Sequence, residues 1–509
     1  MFEKALKGSR LYWGWIGFLI LLIIIGGTAY LIQWQQGLTI TGMSKEVSWG
    51  LYIANFTFLV GVAASAVMVA IPTYIYNKHK FEEMTTLGEF LAVAAVVMCV
   101  LFIMVDLGKV ERALHVMVYP QLDSVMFFDM VVLGGYGLWN IIIGFYMISS
   151  RITNTPDISW YVKIVLFLAI PWAISIHTVT AFLYSGLVAR GMWMTALLAP
   201  RFLASAFAAG PAFLIIASVV IKKFANYDVG ESARRTVAQI VTFAMIVNLF
   251  FLGSELFVVF YSQHPEHMAH WAYLLLGHGG NTLVPWIWTS ITLGIIAVLL
   301  LIHPKTRNND YYLAGACVLV FVSIWIDKGL GLIVPGYIPS MVHTYVEYWP
   351  TVLESLITLG VWGIGLLIFT ALGKIAISTY QQYPPIGGKL EEEEVEVPVK
   401  KVEEAEEAAP EAAPEAEAGV TFVCGLCEAV FSSKDECCKH AEEAHKISED
   451  QCDMICEEGE GAAPEAEAGV TFVCGLCEAE FSSKDECCEH AEKEHKISKD
   501  QCDMICEEE

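Results

Sequence analysis

Three titratable residues stand inside apolar stretches of this sequence, and they are its first candidates for chemistry. Asp106, Asp129 and His177 carry groups that can accept or donate a proton. Ionisable groups are costly in hydrocarbon, and those found there usually face a cavity, a partner or a transport path. We therefore predict that these three side chains act in proton transfer.

Further polar and aromatic residues fall on the same helix faces at helical spacing. Three such faces occur, and their members are Trp49, Tyr52, Asn55 and Phe56; Asp129, Tyr136 and Asn140; and His177, Thr180 and Tyr184. Taken singly, such a residue is equally well explained by an interhelical hydrogen bond or by anchoring at the membrane interface. Their clustering at one depth favours a shared pocket. Aromatic rings, a carboxylate and an imidazole suit a quinone, whose ring stacks and whose carbonyls accept hydrogen bonds.

A second group of candidates, near the C-terminal end of the sequence, has the spacing of metal ligands. Two residues separate Cys424 from Cys427, twelve separate Cys427 from His440, and four separate His440 from His445. In a C2H2 zinc finger, a turn presents two thiolates and one helix face presents two imidazoles at tetrahedral reach. The same spacing recurs 50 residues later, at Cys474, Cys477, His490 and His495. We predict zinc in both repeats.

Extra cysteines in each repeat leave alternatives open. They are Cys437, Cys438, Cys452 and Cys456 in the first copy, and Cys487, Cys488, Cys502 and Cys506 in the second. Cys452 and Cys456 suit a redox pair or spare ligands, and a disulfide scaffold is the alternative to zinc. Phe422 and Phe431 stand where C2H2 fingers pack their small core, which favours the finger.

The charge of these repeats argues against binding to nucleic acid. Residues 420–458 hold ten acidic and three basic residues, whereas a phosphate-binding surface needs the opposite sign. We predict protein-binding or metal-buffering modules, and an appendage without an essential role remains the alternative.

The elements that must position the first group are apolar stretches about 20 residues long, the length that spans a bilayer as a helix. Ten occur, near 11–32, 47–76, 87–107, 127–149, 160–186, 201–223, 237–261, 281–303, 311–326 and 348–374. The ninth is short and could continue toward Lys328. With 56% hydrophobic residues and a mean hydropathy of +0.54, a soluble enzyme is excluded, and we predict an all-α integral membrane protein.

The net charge of -25 separates this membrane body from the tail. Residues 1–390 carry 21 basic and 18 acidic residues, whereas residues 391–509 carry 9 basic and 37 acidic ones. The predicted organisation is a membrane domain at 1–380, an acidic linker rich in Pro, Ala and Glu at 381–418, and small ββα finger repeats at 419–458 and 469–509, joined by a linker at 459–468.

Basic residues in the loops predict the orientation of the chain. With the N-terminus in the cytoplasm, fifteen Lys and Arg residues fall on the cytoplasmic side and six on the other. The six are Lys45, Lys109, Arg112, Arg190, Arg201 and Lys328. Ten helices then leave the acidic tail in the cytoplasm as well. We predict a multi-pass protein of the inner membrane with both termini cytoplasmic.

Haem and iron–sulfur clusters are not expected in this chain. A bis-histidine haem needs two histidines facing each other inside the bundle, and only His177 lies deep in a predicted helix. The body holds only Cys99 and Cys317, too few for a cluster. Electrons from a quinol would therefore leave through a partner subunit.

Ordered short motifs in residues 1–380 resemble the NrfD/PsrC family of polytopic quinone-reactive membrane subunits. They include Ser48-Trp49-Gly50, Asp106-Leu107-Gly108-Lys109, His177-Thr178-Val179-Thr180, Pro200-Arg201-Phe202, Asp327-Lys328-Gly329 and Glu347-Tyr348. Within that family the sequence is similar to the ten-helix branch that includes the hydrogenase subunit HybB and the sulfite-reduction-associated subunit DsrP.

The resemblance implies two four-helix bundles, helices two to five and six to nine, flanked by helices one and ten. It also implies that a quinone, menaquinone for example, binds in the first bundle near the outer face. Its pocket candidates are Trp49, Tyr52, Asn55, Asp106, Asp129, Tyr136 and His177. A proton path in the second bundle would use Glu255 and Asn248. The implied partners are a periplasmic ferredoxin-like iron–sulfur subunit and further membrane and cytochrome subunits.

The function that we expect is exchange of electrons between menaquinone or its quinol and that iron–sulfur partner, linked to sulfite or sulfate reduction. This chain would be a subunit without catalysis of its own. The alternatives are the membrane subunit of a periplasmic hydrogenase or of another oxidoreductase of this family, and an ion or solute transporter. Copurification with iron–sulfur proteins would separate the first two from the transporter.

Overall fold

The computed structural model describes residues 8–63, 66, 67, 69, 81–153 and 160–383, together with six short strands of the tail. The chain divides into two compact units, Met1–Glu396 and Val397–Glu509. The regular elements described in the first unit are all helices, and the strands described lie in the second unit.

Ten main helices build the described part of the first unit. They are α1 (Arg10–Gln36), α2 (Leu51–Ala63), α3 (Glu82–Asp106), α4 (Val125–Thr153), α5 (Trp160–Ser185), α6 (Leu198–Ala225), α7 (Glu231–Ser262), α8 (Val284–Ile302), α9 (Asp310–Ile324) and α10 (Val352–Gln382). The connections contain one further helix, Pro265–Leu276. They also contain short helical turns at Leu38–Ile40, Val110–Arg112, His115–Val118, Gly191–Trp193 and Pro304–Arg307.

Nine helices in the described part of the chain are long and apolar enough to cross a membrane. The length and composition of these helices confirm the prediction of a multi-pass membrane protein. The remaining predicted span is present as α2, a shorter apolar helix of 13 residues, with residues 66, 67 and 69 also helical. The rest of that predicted span lies outside the described residues, so the count of ten spans stays a prediction.

The helices pack as two rings and a flanking pair. Helix α2 packs on α3, α3 on α4, α4 on α5 and α5 on α2, and the same cyclic order links α6, α7, α8 and α9. Helices α1 and α10 pack on each other, and α10 also packs on α3. We call α2–α5 the first bundle and α6–α9 the second bundle. Helices α2 and α5 meet α6 where the two bundles touch.

Helix α9 does not end where its apolar run becomes polar. It continues through a π-helical turn, Trp325–Leu330, into Gly331–Ile333. A π-turn adds a residue to the helical repeat and changes which side chains face inward, and such turns are frequent at functional sites. Here Asp327 and Lys328 are both buried, at 6% and 4% exposure.

This finding corrects the sequence-based placement of two basic residues. Arg201 and Lys328 were assigned to loops on the outer side, but Arg201 lies in the first turn of α6 and Lys328 in the π-turn. Arg201 pairs with two buried carboxylates, and Lys328 lies against Phe202. A charge count along the sequence cannot separate such buried residues from loop residues. Without them the predicted outer side keeps only four basic residues, which strengthens the charge asymmetry.

Glu354 fixes the start of α10 against the segment that leads into α2. Thr351 and Glu354 form a reciprocal capping box, in which each side chain accepts a hydrogen bond from the backbone N–H of the other. The same carboxylate accepts hydrogen bonds from the Gly42 N–H at 2.8 Å and the Tyr348 hydroxyl at 2.9 Å. The Tyr348 hydroxyl in turn accepts one from the Leu51 N–H at 2.8 Å. Glu354 is therefore a structural carboxylate.

Glycines let α1 and α10 approach each other closely. A Cβ on Gly26 would lie 2.5 Å from Cα of Gly360 and 2.8 Å from the carbonyl oxygen of Leu356. Both obstacles are backbone atoms of α10, which can move only if the helices separate. Small residues at such contacts are how membrane helices pack without a hydrophobic driving force.

Gly26→Ala should therefore destabilise the membrane body by about 1–3 kcal/mol, the usual cost of overpacking. Gly27→Ala is the matched control, since nothing lies within 4 Å of the added Cβ and alanine favours the helix by about 1 kcal/mol. Thermal unfolding of the detergent-purified proteins measures both changes. Equal melting temperatures for the two variants would contradict the glycine contact.

Two three-stranded sheets make up the described part of the tail. In the first, β1 (Thr421–Cys424) pairs antiparallel with β2 (Val430–Phe431) on one side and with β3 (Cys456–Gly459) on the other. In the second, β4 (Phe472–Cys474) lies between β5 (Glu480–Phe481) and β6 (Cys506–Glu508). Phe422 is the cross-strand partner of Phe431.

The third strand of each sheet is not part of the predicted ββα repeat. Finger spacing foresees a hairpin followed by a helix, and β3 and β6 return to the hairpin after that segment. The predicted helical segments lie outside the described residues. Those segments carry the histidines of the predicted zinc sites. The strands therefore neither confirm nor contradict the zinc-finger prediction.

Candidate functional site

The first-bundle site lies at the end of the bundle where α3 and α5 stop and α2 and α4 begin. Asp106 ends α3, and Asp129 lies in the second turn of α4. His177 lies two turns before the end of α5, about 12 Å deep at 1.5 Å per residue. The structure therefore brings the three predicted proton-transfer residues to one end of one bundle.

Hydrogen bonds lock part of this site. Thr180 Oγ1 donates to Asp129 Oδ1 at 2.5 Å, and the hydroxyls of Thr57 and Tyr184 lie 2.5 Å apart. Asp129 is 5% exposed and the other three residues are fully buried. The first pair joins α4 to α5 and the second joins α2 to α5, so the carboxylate is held by threonine in a defined position between helices.

Three buried polar atoms of the site have no hydrogen-bond partner among the described residues. They are Oδ1 of Asp106 and both ring nitrogens of His177. Buried polar atoms are nearly always paired with protein, water or a ligand, because leaving them unpaired costs about 1–3 kcal/mol each. A quinone fits this set chemically, since its two carbonyl oxygens accept hydrogen bonds and its reduced form donates them.

An aromatic cluster lies at the same end of the first bundle. Trp49 stacks on Trp193 with ring centroids 6.0 Å apart. Tyr184 and Tyr337 make T-shaped contacts with Trp49, with centroid distances of 5.9 and 5.8 Å. The guanidinium of Arg190 lies 4.2 Å from the Tyr337 ring centroid. Trp193 is fixed by its indole N–H, which donates to the Leu332 carbonyl at 2.9 Å. Such rings provide a flat apolar surface of the kind on which a quinone ring stacks.

Other predicted pocket residues are used for packing between helices. The Tyr52 hydroxyl donates to Gln33 on α1 at 2.7 Å, and Asn55 accepts from the indoles of Trp325 and Trp362 at 3.0 and 2.9 Å. Their spacing from Trp49 suggested one shared face, but α2 begins at Leu51 and Trp49 precedes it. Trp49 therefore joins the aromatic cluster, while Tyr52 and Asn55 point toward other helices.

Tyr136 and Asn140 continue the polar stripe of α4 deeper into the bundle. Both are buried, and the Asn140 amide donates to the Tyr136 carbonyl at 2.7 Å. Glu89 of α3 is also buried, at 3% exposure, and its Cβ is near Gly144 of α4. Glu89 was not singled out from the sequence, because it falls in the first turn of the span predicted at 87–107, where a carboxylate resembles a helix-end charge.

The second bundle holds a compact ion cluster. Arg201 Nη1 contacts Glu255 Oε2 at 2.7 Å, and Arg201 Nη2 contacts Asp327 Oδ1 at 2.6 Å. All three residues are at most 6% exposed. One guanidinium thus joins α6, α7 and the π-turn. Glu255 was predicted from the sequence, but its pairing with Arg201 was not, because 54 residues separate them.

Lys328 stands beside this cluster and has no carboxylate within ion-pair distance among the described residues. Its Nζ donates to the Phe202 carbonyl at 3.4 Å and lies 4.2 Å from the Phe202 ring centroid. It also reaches the first bundle, since a Cβ on Gly61 of α2 would lie 3.1 Å from Nζ. The sequence signal that could have revealed the burial of Asp327 and Lys328 is the Asp327-Lys328-Gly329 motif, which interrupts an apolar run.

A small cavity adjoins the ion cluster. It measures about 10 Å³, roughly the minimum that holds one water molecule. Its lining residues are Leu198, Arg201, Phe202, Ser205, Asn248, Asp327, Lys328 and Leu332. Asn248 Oδ1 is buried there without a hydrogen-bond partner among the described residues. Asn248 and Lys328 therefore line the same cavity.

One histidine near the predicted outer face, His270, serves the fold. His270 lies in the short helix Pro265–Leu276, and its Nδ1 is 2.8 Å from the Pro335 carbonyl and 2.9 Å from that of Ile338. Burial lowers the pKa of His270, and the two carbonyls partly oppose that shift. A neutral imidazole that donates to these carbonyls ties this helix to the segment that follows α9.

The predicted zinc ligands are only partly within the described residues. Cys424 ends β1 and Cys474 ends β4. The other six, Cys427, His440, His445, Cys477, His490 and His495, lie outside the described residues. Zinc binding by the tail remains a prediction.

The geometry defines a class of protein: a multi-pass helical membrane protein with titratable and aromatic groups gathered at one end of a helix bundle. Residues 39–339 match the family described as polysulphide reductase, NrfD. This match covers more than half of the chain, and the chain belongs to that family. The family resemblance drawn from its short motifs is confirmed.

Three curated relatives are similar over most of their own length. A putative membrane subunit of dimethyl sulfoxide reductase from Halobacterium salinarum is 26% identical, covering 70% of this chain and 89% of the relative. The Hdr-like menaquinol oxidoreductase integral membrane subunit of Archaeoglobus fulgidus is 23% identical (72% and 94%). A selenate reductase subunit of Mesobacillus selenatarsenatis is also 23% identical (71% and 92%). All three are named as subunits, two of them as membrane subunits.

Proposed function

We propose that this chain is the quinone-interacting membrane subunit of a respiratory oxidoreductase, and that menaquinone or its quinol binds at the first-bundle site. The unpaired atoms of Asp106 and His177 beside the Trp49 cluster are the observation that carries the proposal. The name of the archaeal menaquinol oxidoreductase subunit supports this choice of quinone.

A bound quinol would supply two electrons and two protons when it is oxidised, and this chain's residues handle the protons. His177, with both nitrogens unpaired, is placed to accept a hydrogen bond from a hydroxyl and then its proton. Asp129 has one oxygen held by Thr180 and the other available for the second proton. Asp106 lies at the helix end and passes protons toward the adjoining aqueous face.

The electrons leave through a partner, since the body offers only Cys99 and Cys317 as thiols. The partner that we propose is a ferredoxin-like iron–sulfur subunit docked at the end of the bundle that holds Asp106, with further membrane and cytochrome subunits. We place that end on the periplasmic side of the inner membrane, with both termini in the cytoplasm. A DsrP-like role in sulfite or sulfate reduction is the specific assignment, and a HybB-like hydrogenase subunit is the second candidate.

The second bundle suits proton movement linked to this reaction. Glu255 and Asn248 are its predicted path. Lys328 extends it toward the first bundle, because its Nζ would lie only 3.1 Å from a Cβ placed on Gly61 of α2. Asn248 and Lys328 share a cavity with room for one water. Glu255 acts through Arg201, to which it is paired, so that a change in its charge is felt at Asp327.

Copurification followed by a quinol-oxidation assay tests the proposal. The chain, purified from its native membrane in mild detergent, should copurify with iron–sulfur subunits that are reduced when a soluble menaquinol analogue is added. A transporter would purify without such partners. A purified complex whose iron–sulfur absorbance does not respond to quinol, or a chain that purifies alone, would refute the quinone role.

The tail has a separate proposal, that each repeat binds zinc through its Cys-x2-Cys and His-x4-His pairs. Elemental analysis of the full-length protein should find about two zinc ions per chain, one for each repeat. Given the acidic surface, we propose that the repeats dock on a protein or buffer metal. Absence of zinc together with disulfide-bonded cysteines would refute both the ligation and the cytoplasmic placement.

A further inference from the structure

Lys328 places a positive charge between the two bundles. Among the described residues, its Nζ contacts the Phe202 carbonyl at 3.4 Å and the face of the Phe202 ring at 4.2 Å, and no carboxylate lies within ion-pair distance. A Cβ built on Gly61 would lie 3.1 Å from the same atom, so the ammonium lies against α2 of the first bundle. Lys328 is 4% exposed, and a buried cation so weakly compensated responds strongly to any charge that changes nearby.

On the first-bundle side, the group whose charge changes is His177. Gly61 lies ten residues after the start of α2 and His177 eight residues before the end of α5, which places them about 15 and 12 Å from the same end of the bundle. The two helices pack on each other, and the charges of Lys328 and His177 interact. A proton on His177 therefore adds a second cation near the ammonium, in a region shielded from water.

On the second-bundle side, Lys328 balances the charge of the ion cluster. Arg201, Glu255 and Asp327 together carry one excess negative charge. With the Lys328 ammonium, the four buried residues are neutral as a set. Transfer of the lysine proton to Asp327 keeps that neutrality, because one cation and one anion disappear together. The same transfer removes the positive charge that opposes a proton on His177, and it leaves no uncompensated charge in the protein interior.

The cavity beside the cluster gives that proton a route. Lys328, Asp327 and Asn248 line it, and its volume of about 10 Å³ has room for one water molecule, which can pass a proton from the ammonium to the carboxylate. Asn248 Oδ1 is buried there without a partner among the described residues and is available to orient such a water. Asn248 precedes Glu255 by seven residues on α7, so it lies about 10 Å further from the end of that helix.

We propose that Lys328 couples the two bundles: a proton taken up by His177 drives the proton of Lys328 through the cavity to Asp327. This inference rests on the proposed quinol oxidation at the first-bundle site. When His177 passes its proton to the aqueous face, Lys328 regains one from the Asn248 side of the cavity. Asp327 then releases its own proton past Glu255. Each cycle moves one proton along the second bundle and restores every group, while the electrons leave through the partner subunit.

Proton uptake into vesicles tests the coupling. The complete complex, reconstituted into liposomes, oxidises a soluble menaquinol analogue with external ferricyanide, an impermeant acceptor that takes electrons and no protons. A pH-sensitive dye inside the vesicles reports protons taken from the interior, the side away from Asp106, where quinol oxidation itself releases none. The wild type should take up about one proton per quinol, one for each cycle of His177.

Two substitutions of Lys328 should act in opposite ways. Lys328→Met removes both the proton carrier and the repulsion, so quinol oxidation should continue near the wild-type rate while interior proton uptake is lost. Lys328→Arg keeps a charge that does not dissociate, so the proton on His177 stays opposed and quinol oxidation should fall about tenfold or more. A residue needed only for folding would lower both rates in both variants. Lys305→Met, which replaces an exposed lysine in the Pro304–Arg307 turn, is the matched control and should change neither rate.

Gly61→Ala tests the contact between the bundles with the charge of Lys328 unchanged. The added methyl group should displace the ammonium from α2, and interior proton uptake per quinol should fall. Gly134→Ala of α4 is its control, since nothing lies within 4 Å of the added Cβ. Wild-type quinol oxidation without interior proton uptake, full uptake in Lys328→Met, or wild-type turnover in Lys328→Arg would overturn the inference and leave the quinone site intact. A wild-type complex that oxidises no quinol would instead refute the proposed function.

Discussion

Asp129→Asn should lower the turnover of quinol oxidation by about 10²–10⁴-fold, the usual contribution of a general acid or base. Asparagine keeps the shape of the side chain, and its oxygen can still accept the hydrogen bond from Thr180 Oγ1. Helix packing around residue 129 should therefore be preserved while the proton acceptor is lost. The measurement is the rate at which a soluble menaquinol analogue reduces the iron–sulfur partner in the purified complex.

Glu111→Gln is the matched control, since it also replaces a carboxylate by an amide. Glu111 is exposed in the Val110–Arg112 turn near the same end of the bundle, and its variant should keep the wild-type rate. The set of copurifying partners and the thermal stability should match the wild type in both variants. Full turnover in an assembled Asp129→Asn complex would remove Asp129 from the proton-transfer residues and leave His177 and Asp106.

Arg201→Met should destabilise the protein by about 3–5 kcal/mol, the cost of breaking a buried ion pair by removing one partner. The variant leaves the carboxylates of Glu255 and Asp327 buried together without the guanidinium that contacts both. A methionine has similar length and no charge, so lost packing is small. The expected result is a large fall in melting temperature, or in the amount of folded protein in the membrane.

Two comparisons isolate the charge effect. The triple variant Arg201→Met, Glu255→Gln, Asp327→Asn should recover much of the loss, because no uncompensated carboxylate remains. Arg235→Met removes an exposed arginine paired with Glu231 and should change stability by less than about 1 kcal/mol. If Arg201→Met is no worse than Arg235→Met, the ion cluster does not contribute to the stability of the second bundle.

Helix positions were predictable because the hydrophobic signal in this chain is strong. Nine of the predicted spans are present as long apolar helices, and each differs at its ends by only a few residues to about a turn or two. Ends were less predictable because polar residues inside the protein resemble loops. Asp327 and Lys328 seemed to close α9, yet the π-turn buries them and the helix continues to Ile333.

The sequence indicated which residues belong to the site better than it indicated which other residues they contact. Asp106, Asp129 and His177 could be selected because carboxylates and imidazoles are rare in membrane helices, and the structure places them at one end of the first bundle. Asn55 was selected by the same reasoning, but two indoles from α9 and α10 use its oxygen. Helical periodicity gives the face of a residue and leaves open which distant helix covers that face.

The contact between Gly26 and Gly360 has a consequence for how the protein is made. Helix α1 is synthesised before α10, and the surface that it presents to α10 is completed only after more than 300 further residues have left the ribosome. Until then the glycine face of α1 is in contact with lipid or with the insertion machinery. Final closure of the membrane body is therefore a late, post-insertion event, and a nascent chain truncated before α10 should leave α1 accessible to crosslinking from the lipid phase.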